Sequence, residues 1–250
     1  MWIGTDAYLA TAGIGSDRAY EHARRISDEA ASLATQNGCA RVEAMVELGD
    51  PARTIVALAE EYKAHAIVMG RRGTGNASGL FLGSVSTRVS HLSDRRVITV
   101  RGRDADIARV LVAVDGSEHS MRAVKLACVI AKGFGADLDI LHVAAMADLV
   151  PLVMSGVDAR EYNEVEDILR QAGGQIVNEA QRIAADLGVE ATTTIEVGDA
   201  ATRIVGRAAD LDTDVICIGR RGLGSVAGLL LGSVSHSVAH GADQTVITVN

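Results

Sequence analysis

The chain reads as an α/β protein built on open parallel sheets, in two related parts. Three observations predict this. Short aliphatic runs alternate with stretches whose apolar residues recur at helical spacing. The hydrophobic content, 48%, is almost entirely aliphatic, with 3% aromatic, as buried parallel strands require. An uncommon loop also occurs twice with its spacing intact. Gly70-Arg71-Arg72-Gly73 is followed after nine residues by Gly83-Ser84-Val85-Ser86, and Gly219-Arg220-Arg221-Gly222, again after nine, by Gly232-Ser233-Val234-Ser235.

The second part is complete, at residues 108–250. Val110–Val114 is a buried strand that ends at Asp115-Gly116-Ser117. From Glu118 to Lys132, Met121, Val124, Ala127, Cys128 and Ala131 lie on one helical stripe. Leu138–Val143 predicts a second strand, and a helix from Tyr162 to Leu187 closes at Gly188. Thr192–Val197 is a third strand, and Gly198-Asp199 opens a helix to Leu211. Asp214–Ile218 delivers the chain into the glycine loop. Ser233 begins a last helix to His240, and Val246–Val249 is the closing strand.

The first part, residues 1–100, repeats the later portion of this pattern. Ile26–Gly38 aligns with Ile176–Gly188, and Gly49–Val100 with Gly198–Val249. Residues 1–6 could imitate one short strand, but nothing before residue 16 resembles the strand, helix and strand that open the second repeat. The run Arg41–Glu47 aligns with the third strand and has no sequence-local partner, so its backbone groups need satisfaction elsewhere. Three explanations fit: a true start upstream of Met1, pairing supplied by another subunit, or a partly disordered first repeat; the first is favoured. Arg101–Ile107, polar and carrying a glycine, is the linker.

Charge and cysteine usage narrow the function classes. A formal charge of −8 argues against nucleic acid as a partner. Cys39, Cys128 and Cys217 show neither zinc spacing nor a disulfide framework. With no stretch long and apolar enough for a membrane span and a poor signal-peptide candidate at residues 1–15, a cytoplasmic protein with reduced thiols is expected.

The repeated loop points to an anionic ligand. Glycines admit close backbone approach, and a Gly-Ser step opening a helix presents free N–H groups, a hydroxyl and the positive end of the helix dipole. The same step can also be a tight turn with an N-cap serine. The loop lacks the lysine of a P-loop.

With the loop, the Val112-Ala113-Val114-Asp115-Gly116-Ser117 entry and the two Val-Ile-Thr-Val endings in view, the chain resembles the universal stress protein family in tandem form, in its ATP-binding-motif subclass. The resemblance implies a parallel sheet of order 3-2-1-4-5 in each repeat, the first lacking its opening strand, helix and strand. It implies a ligand at the carboxyl ends of strands 1 and 4. Asp115 matches the family residue at the base and ribose end, and Val143 an adenine-flanking position. Ile218 and Gly219 end strand 4. Gly222, Gly232, Ser233, Val234 and Ser235 match the phosphate-contacting segment, with Arg220 able to neutralise charge. Gly70, Gly73, Gly83, Ser84, Val85 and Ser86 are the weaker counterparts. Each has a plainer reading: Asp115 as a turn-former, Val143 as core, Ser235 as a first-turn helix residue, Arg220 and Arg221 as solvated side chains.

The implied ligand is ATP with Mg²⁺, no protein side chain reading as a metal ligand; the motif does not choose between ATP, ADP and AMP. The implied role is a nucleotide-binding stress-response regulator rather than an enzyme, with a nucleotide-independent interaction module and a weak ATPase as alternatives. His91 and His240 correspond between repeats but lie near helix ends, where a histidine more often meets carbonyls than works as a base. The edge strands Val97–Val100 and Val246–Val249 are expected to join the repeats as an internal pseudo-dimer, and a homodimer of chains and a protein partner are expected as well.

Overall fold

The computed structural model describes residues 16–71, 83–101, 106–145, 159–222 and 232–250. Residues 1–6, Gly73 and most of the 101–107 linker lie outside the described residues. The chain divides into two compact units, Met1–Ala64 and His65–Asn250.

In the smaller unit, α1 spans Ser16–Gln36 and α2 spans Pro51–Glu61. Pro51 occupies the first turn of α2, where its missing N–H costs nothing, and the Asp50 carboxylate accepts the Arg53 N–H at 3.0 Å. The expected strand at Arg41–Glu47 does not form. A strand is stabilised by a neighbour, and the described residues of this unit contain no strand to pair with it.

The larger unit carries β1 (Ala66–Gly70), α3 (Ser84–Leu92), β2 (Arg96–Val100), β3 (Arg109–Val114), α4 (Glu118–Phe134), β4 (Asp137–Ala145), α5 (Ala159–Asp186), β5 (Ala191–Gly198), α6 (Ala200–Asp210), β6 (Val215–Gly219), α7 (Ser233–Gly241) and β7 (Thr245–Val249). One seven-stranded sheet runs in the order β1-β2-β7-β6-β3-β4-β5. Counted within the second repeat, its five strands lie in the order 3-2-1-4-5 and are parallel throughout.

The central strand β3 shows why the sheet is aliphatic on both faces. Val110, Val112 and Val114 face α4 and α5 in one core, with Ala127, Cys128, Ala131, Ala180 and Ala184. Leu111 and Ala113, one step out of phase, pack with Ile204, Ala208, Val238 and Ala239 of α6 and α7 in the other. Cys128 and Cys217 are buried in the first core, and burial, with Cys128 adding to it, pushes the Cys217 thiol up to about 12, so it packs as a neutral side chain. Cys39 is exposed. Among the described residues no helix is long and apolar enough to cross a membrane.

The two repeats meet through β2 and β7, which pair antiparallel. Val97 faces Thr248, Ile98 faces Ile247 and Thr99 faces Val246. Ile98 and Ile247 are equivalent positions of the two repeats, so the register places a local two-fold axis between them. This seam makes one mixed sheet of strands from both repeats. It also explains why β1, α3 and β2 fall in the larger unit although their sequence belongs to the first repeat.

Val246 is 2% exposed and faces the core under α6 and α7. A lysine there places an unpaired charge in that core as well as beside the seam. Val246→Lys should therefore lower unfolding free energy by roughly 3–5 kcal/mol in urea titrations; a loss below 1 kcal/mol would contradict this packing.

Candidate functional site

The loops that follow β1 and β6 are closed by the same bonds. The Arg220 N–H donates to Val249 O at 2.7 Å, and the Arg220 carbonyl accepts from Gly232 N–H at 2.8 Å and Ser235 Oγ at 2.9 Å. In the first repeat the Arg71 N–H donates to Val100 O at 3.0 Å, and the Arg71 carbonyl accepts from Gly83 N–H at 2.9 Å and Ser86 Oγ at 3.2 Å. Each buried serine hydroxyl also reaches the carbonyl of its own N-cap glycine, Gly232 at 3.0 Å and Gly83 at 2.9 Å. Ser235 and Ser86 therefore hold the base of their loops together, as first-turn helix residues do.

What distinguishes the two loops is what lies beside them. In the second repeat the loop crosses Asp115, at the end of β3. The Asp115 Oδ1 accepts the Ser117 N–H at 3.0 Å, and the Ser117 hydroxyl lies 2.6 Å from that oxygen and 3.2 Å from the Arg221 carbonyl. Ser117 is also the N-cap of α4, its Oγ accepting the Ser120 N–H at 3.3 Å. The Asp115 Oδ2 faces the loop so closely that a Cβ on Gly222 would sit 2.3 Å from it. A Cβ on Gly219 would meet the Ser120 backbone nitrogen at 2.8 Å. Glycine is required at both places by close approach. Among the described residues β1 is paired on one side only, by β2, so nothing described stands beside the first loop as β3 and Asp115 stand beside the second.

Gly232 and Gly83 are the N-caps of α7 and α3, and neither helix has a side-chain cap bond. By contrast α2, α4 and α6 are capped by Asp50, Ser117 and Asp199. The first N–H groups of α7 thus face the loop with the helix dipole behind them and no protein side chain accepting from them among the described residues. Ser233 is exposed, as is Ser84, while Val234 and Val85 are half-buried. Ile218 is core, and Val143 packs at the edge of the same cluster. Gly70 ends β1.

Arg220 departs from expectation. Its guanidinium is 3% exposed and does not turn into its own loop. It donates to His91 O at 3.2 Å, Asp94 Oδ1 at 3.4 Å and Asn250 Oδ1 at 3.2 Å. The local sequence shows an arginine in a glycine loop; the two-fold seam is what carries that side chain to the end of α3. Burial lowers its pKa, partly offset by Asp94.

Sequence reasoning missed His142. Its Nδ1 lies 2.8 Å from Val114 O, so Nδ1 carries the proton, a carbonyl being able only to accept. The ring fills the space above Gly173, where a Cβ would approach His142 Cδ2 to 2.6 Å. It thereby fixes the end of β3, the residue before Asp115. The Gly173-Gly174 pair inside an otherwise regular helix was the available signal.

The model of the universal stress protein family matches residues 5–101 and 107–250. The chain belongs to the universal stress protein family. A universal stress protein of Bacillus subtilis is 34% identical over 134 residues, covering 52% of this chain and 90% of that protein. One from Mycolicibacterium smegmatis is 31% identical over 203 residues, 79% of this chain and 65% of the relative. Among solved structures, a universal stress protein from Archaeoglobus fulgidus aligns over the whole chain and 85% of its own length, with 25% identity and a TM-score of 0.63. The two matches of the family model account for the universal stress protein repeat read from the duplicated loop.

Gly222→Ala should lower stability by about 1–3 kcal/mol, because the Asp115 carboxylate is tied to Ser117 and cannot swing away without loss. In an Asp115→Ala background the cost should fall by more than half; additive costs would show that the two do not touch. The pKa of His119 is lowered by burial and then by Arg122 and Arg221, against Glu118 and Asp115; that of His91 by burial, His236 and Arg220. A histidine depressed in the fold binds its proton more readily when unfolded. The stability it contributes is intact above the ordinary 6.5 and is lost as pH falls from there through the lowered folded-state value. Urea midpoints should drop between pH 7 and pH 5, and His91→Gln with His119→Gln should flatten the drop.

Proposed function

We propose that this universal stress protein binds an adenine nucleotide in its second repeat and acts as a ligand-dependent regulatory module. The proposed organisation is an incomplete repeat at residues 1–100, a linker at 101–107 and a complete repeat at 108–250. The observation that carries the reading is the loop crossing Asp115 beside α7, a helix that starts on glycine with no side-chain cap bond.

In this reading the phosphates lie against the N–H groups of Ser233 and Val234, with the Ser233 hydroxyl as a further donor. The Gly219–Gly222 backbone lines the approach. Asp115, an acceptor while ionised, takes the ribose hydroxyls, and Val143 and Ile218 flank the base. Arg220 is left out of the ligand set, its guanidinium being committed to α3. Mg²⁺ would be held by phosphate oxygens and water, since no group of three or more His, Cys, Asp or Glu among the described residues could hold a metal ion.

Regulation rather than catalysis fits the chemistry on this side of the sheet. The hydroxyls of Ser117, Ser120 and Ser235 are all engaged in turn and cap bonds. The nucleotide would act through the loop base at Gly219–Gly222 and the first turn of α7.

Calorimetric titration with ATP and Mg²⁺, with ADP and AMP alongside, should give one site per chain. Asp115→Ala should weaken binding by tenfold or more, and Gly222→Ala with Gly232→Val should abolish it. Two equal sites would place a ligand in the first repeat as well. Absence of heat and of thermal shift at millimolar nucleotide would overturn the reading and leave a nucleotide-independent interaction module.

A further inference from the structure

The two loop arginines exchange partners across the seam. Arg71 begins the first loop, yet its guanidinium lies at the end of α7 in the second repeat. Its Nη1 donates to Ala242 O at 2.7 Å and its Nη2 to His240 O at 2.6 Å. Arg220 begins the second loop and reaches His91 O and Asp94 at the end of α3. His91 and His240, and Asp94 and Asp243, are equivalent positions, so the exchange obeys the same two-fold axis as Ile98 and Ile247.

We propose that Arg71 is a positioning residue for the second repeat's ligand site, and that the exchanged arginines couple the two loops. The first half of this rests on the nucleotide reading above; the coupling does not. The argument is geometric. The carbonyls at the end of α7 are the negative pole of a nine-residue helix whose positive pole faces the second loop. A helix this short moves as a rod, so fixing its last turn fixes the first. Arg71, 5% exposed, fixes it with one bond from its planar fork to each of two carbonyls, sharing that of Ala242 with Arg101 Nη1 at 3.0 Å.

The backbone of Arg71 meanwhile belongs to the first loop, through its bonds with Val100, Gly83 and Ser86. One residue thus ties the base of one loop to the far end of the other loop's helix, and Arg220 does the reverse. A ligand bound at the base of the second loop bears on the Arg220 backbone and, through its side chain, on the end of α3. By linkage, anything bound at the base of the first loop shifts affinity at the second by the factor with which the second shifts the first.

Two readouts test this: amide hydrogen exchange of the ligand-free protein and the ATP–Mg²⁺ dissociation constant. Arg71→Met removes the fork, and Arg71→Lys, which keeps the charge but cannot span both carbonyls, guards against loss of folding. Faster exchange is expected across α7 including the hydrogen-bonded amides at its start, Gly232 and His236, together with binding about tenfold weaker. Faster exchange confined to Val238–Ala242, with a dissociation constant within twofold of the parent, would overturn the proposal. Should the parent bind no nucleotide, the ligand reading falls and exchange alone decides: a first-turn response upholds the coupling and an unchanged first turn refutes it.

Discussion

The antiparallel ladder between β2 and β7 is the constraint on which the rest of this structure depends. Either strand alone would be an exposed edge of a parallel sheet, with a row of unpaired N–H and C=O groups. Pairing them removes both edges at once and makes the sheet continuous from β1 to β5. It also fixes geometry beyond the ladder. Because the register is centred on Ile98 and Ile247, each helix that follows a glycine loop ends beside the loop base of the other repeat. The burial of Arg71 and Arg220 follows from that placement, since each guanidinium has helix-end carbonyls waiting within 2.6–3.2 Å.

Much of this was legible in the chain. The elements of residues 108–250 form within a few residues of the boundaries drawn from aliphatic runs, helical stripes and caps, because local pattern and core packing agree there. Asp199 and Ser117 cap helices as their positions before apolar stripes suggest. The failure at Arg41–Glu47 is of another kind. Its composition is strand-like, but a strand is a relation between two segments, and half of that relation is missing among the described residues. The outward reach of Arg220 and the inward hydroxyl of Ser235 were hidden for the same reason. Both are settled by what the seam and the loop base bring near, and no local window contains that.

His142 belongs with them. Nothing in Leu138–Val143 sets it apart from a polar residue near a strand end, yet its Nδ1 proton holds the Val114 carbonyl and thereby the step into Asp115. Only Gly173 of α5 recorded, at a distance in sequence, that a ring had to fit beneath that helix.

The exchanged arginines also change what the duplicated motif means. A loop found twice invites the conclusion that the chain has two ligand sites. Here the first half of each motif has a second duty, independent of any ligand: its arginine closes the end of the other repeat's helix, and its carbonyl receives the serine that seals the loop. Among the described residues no counterpart of β3 and Asp115 stands beside the first motif, while α7 of the second repeat uses Arg71 where it is. On this argument Arg71 is explained by the fold it completes, and the proposed ligand site rests on the second loop, where the same motif meets a carboxylate.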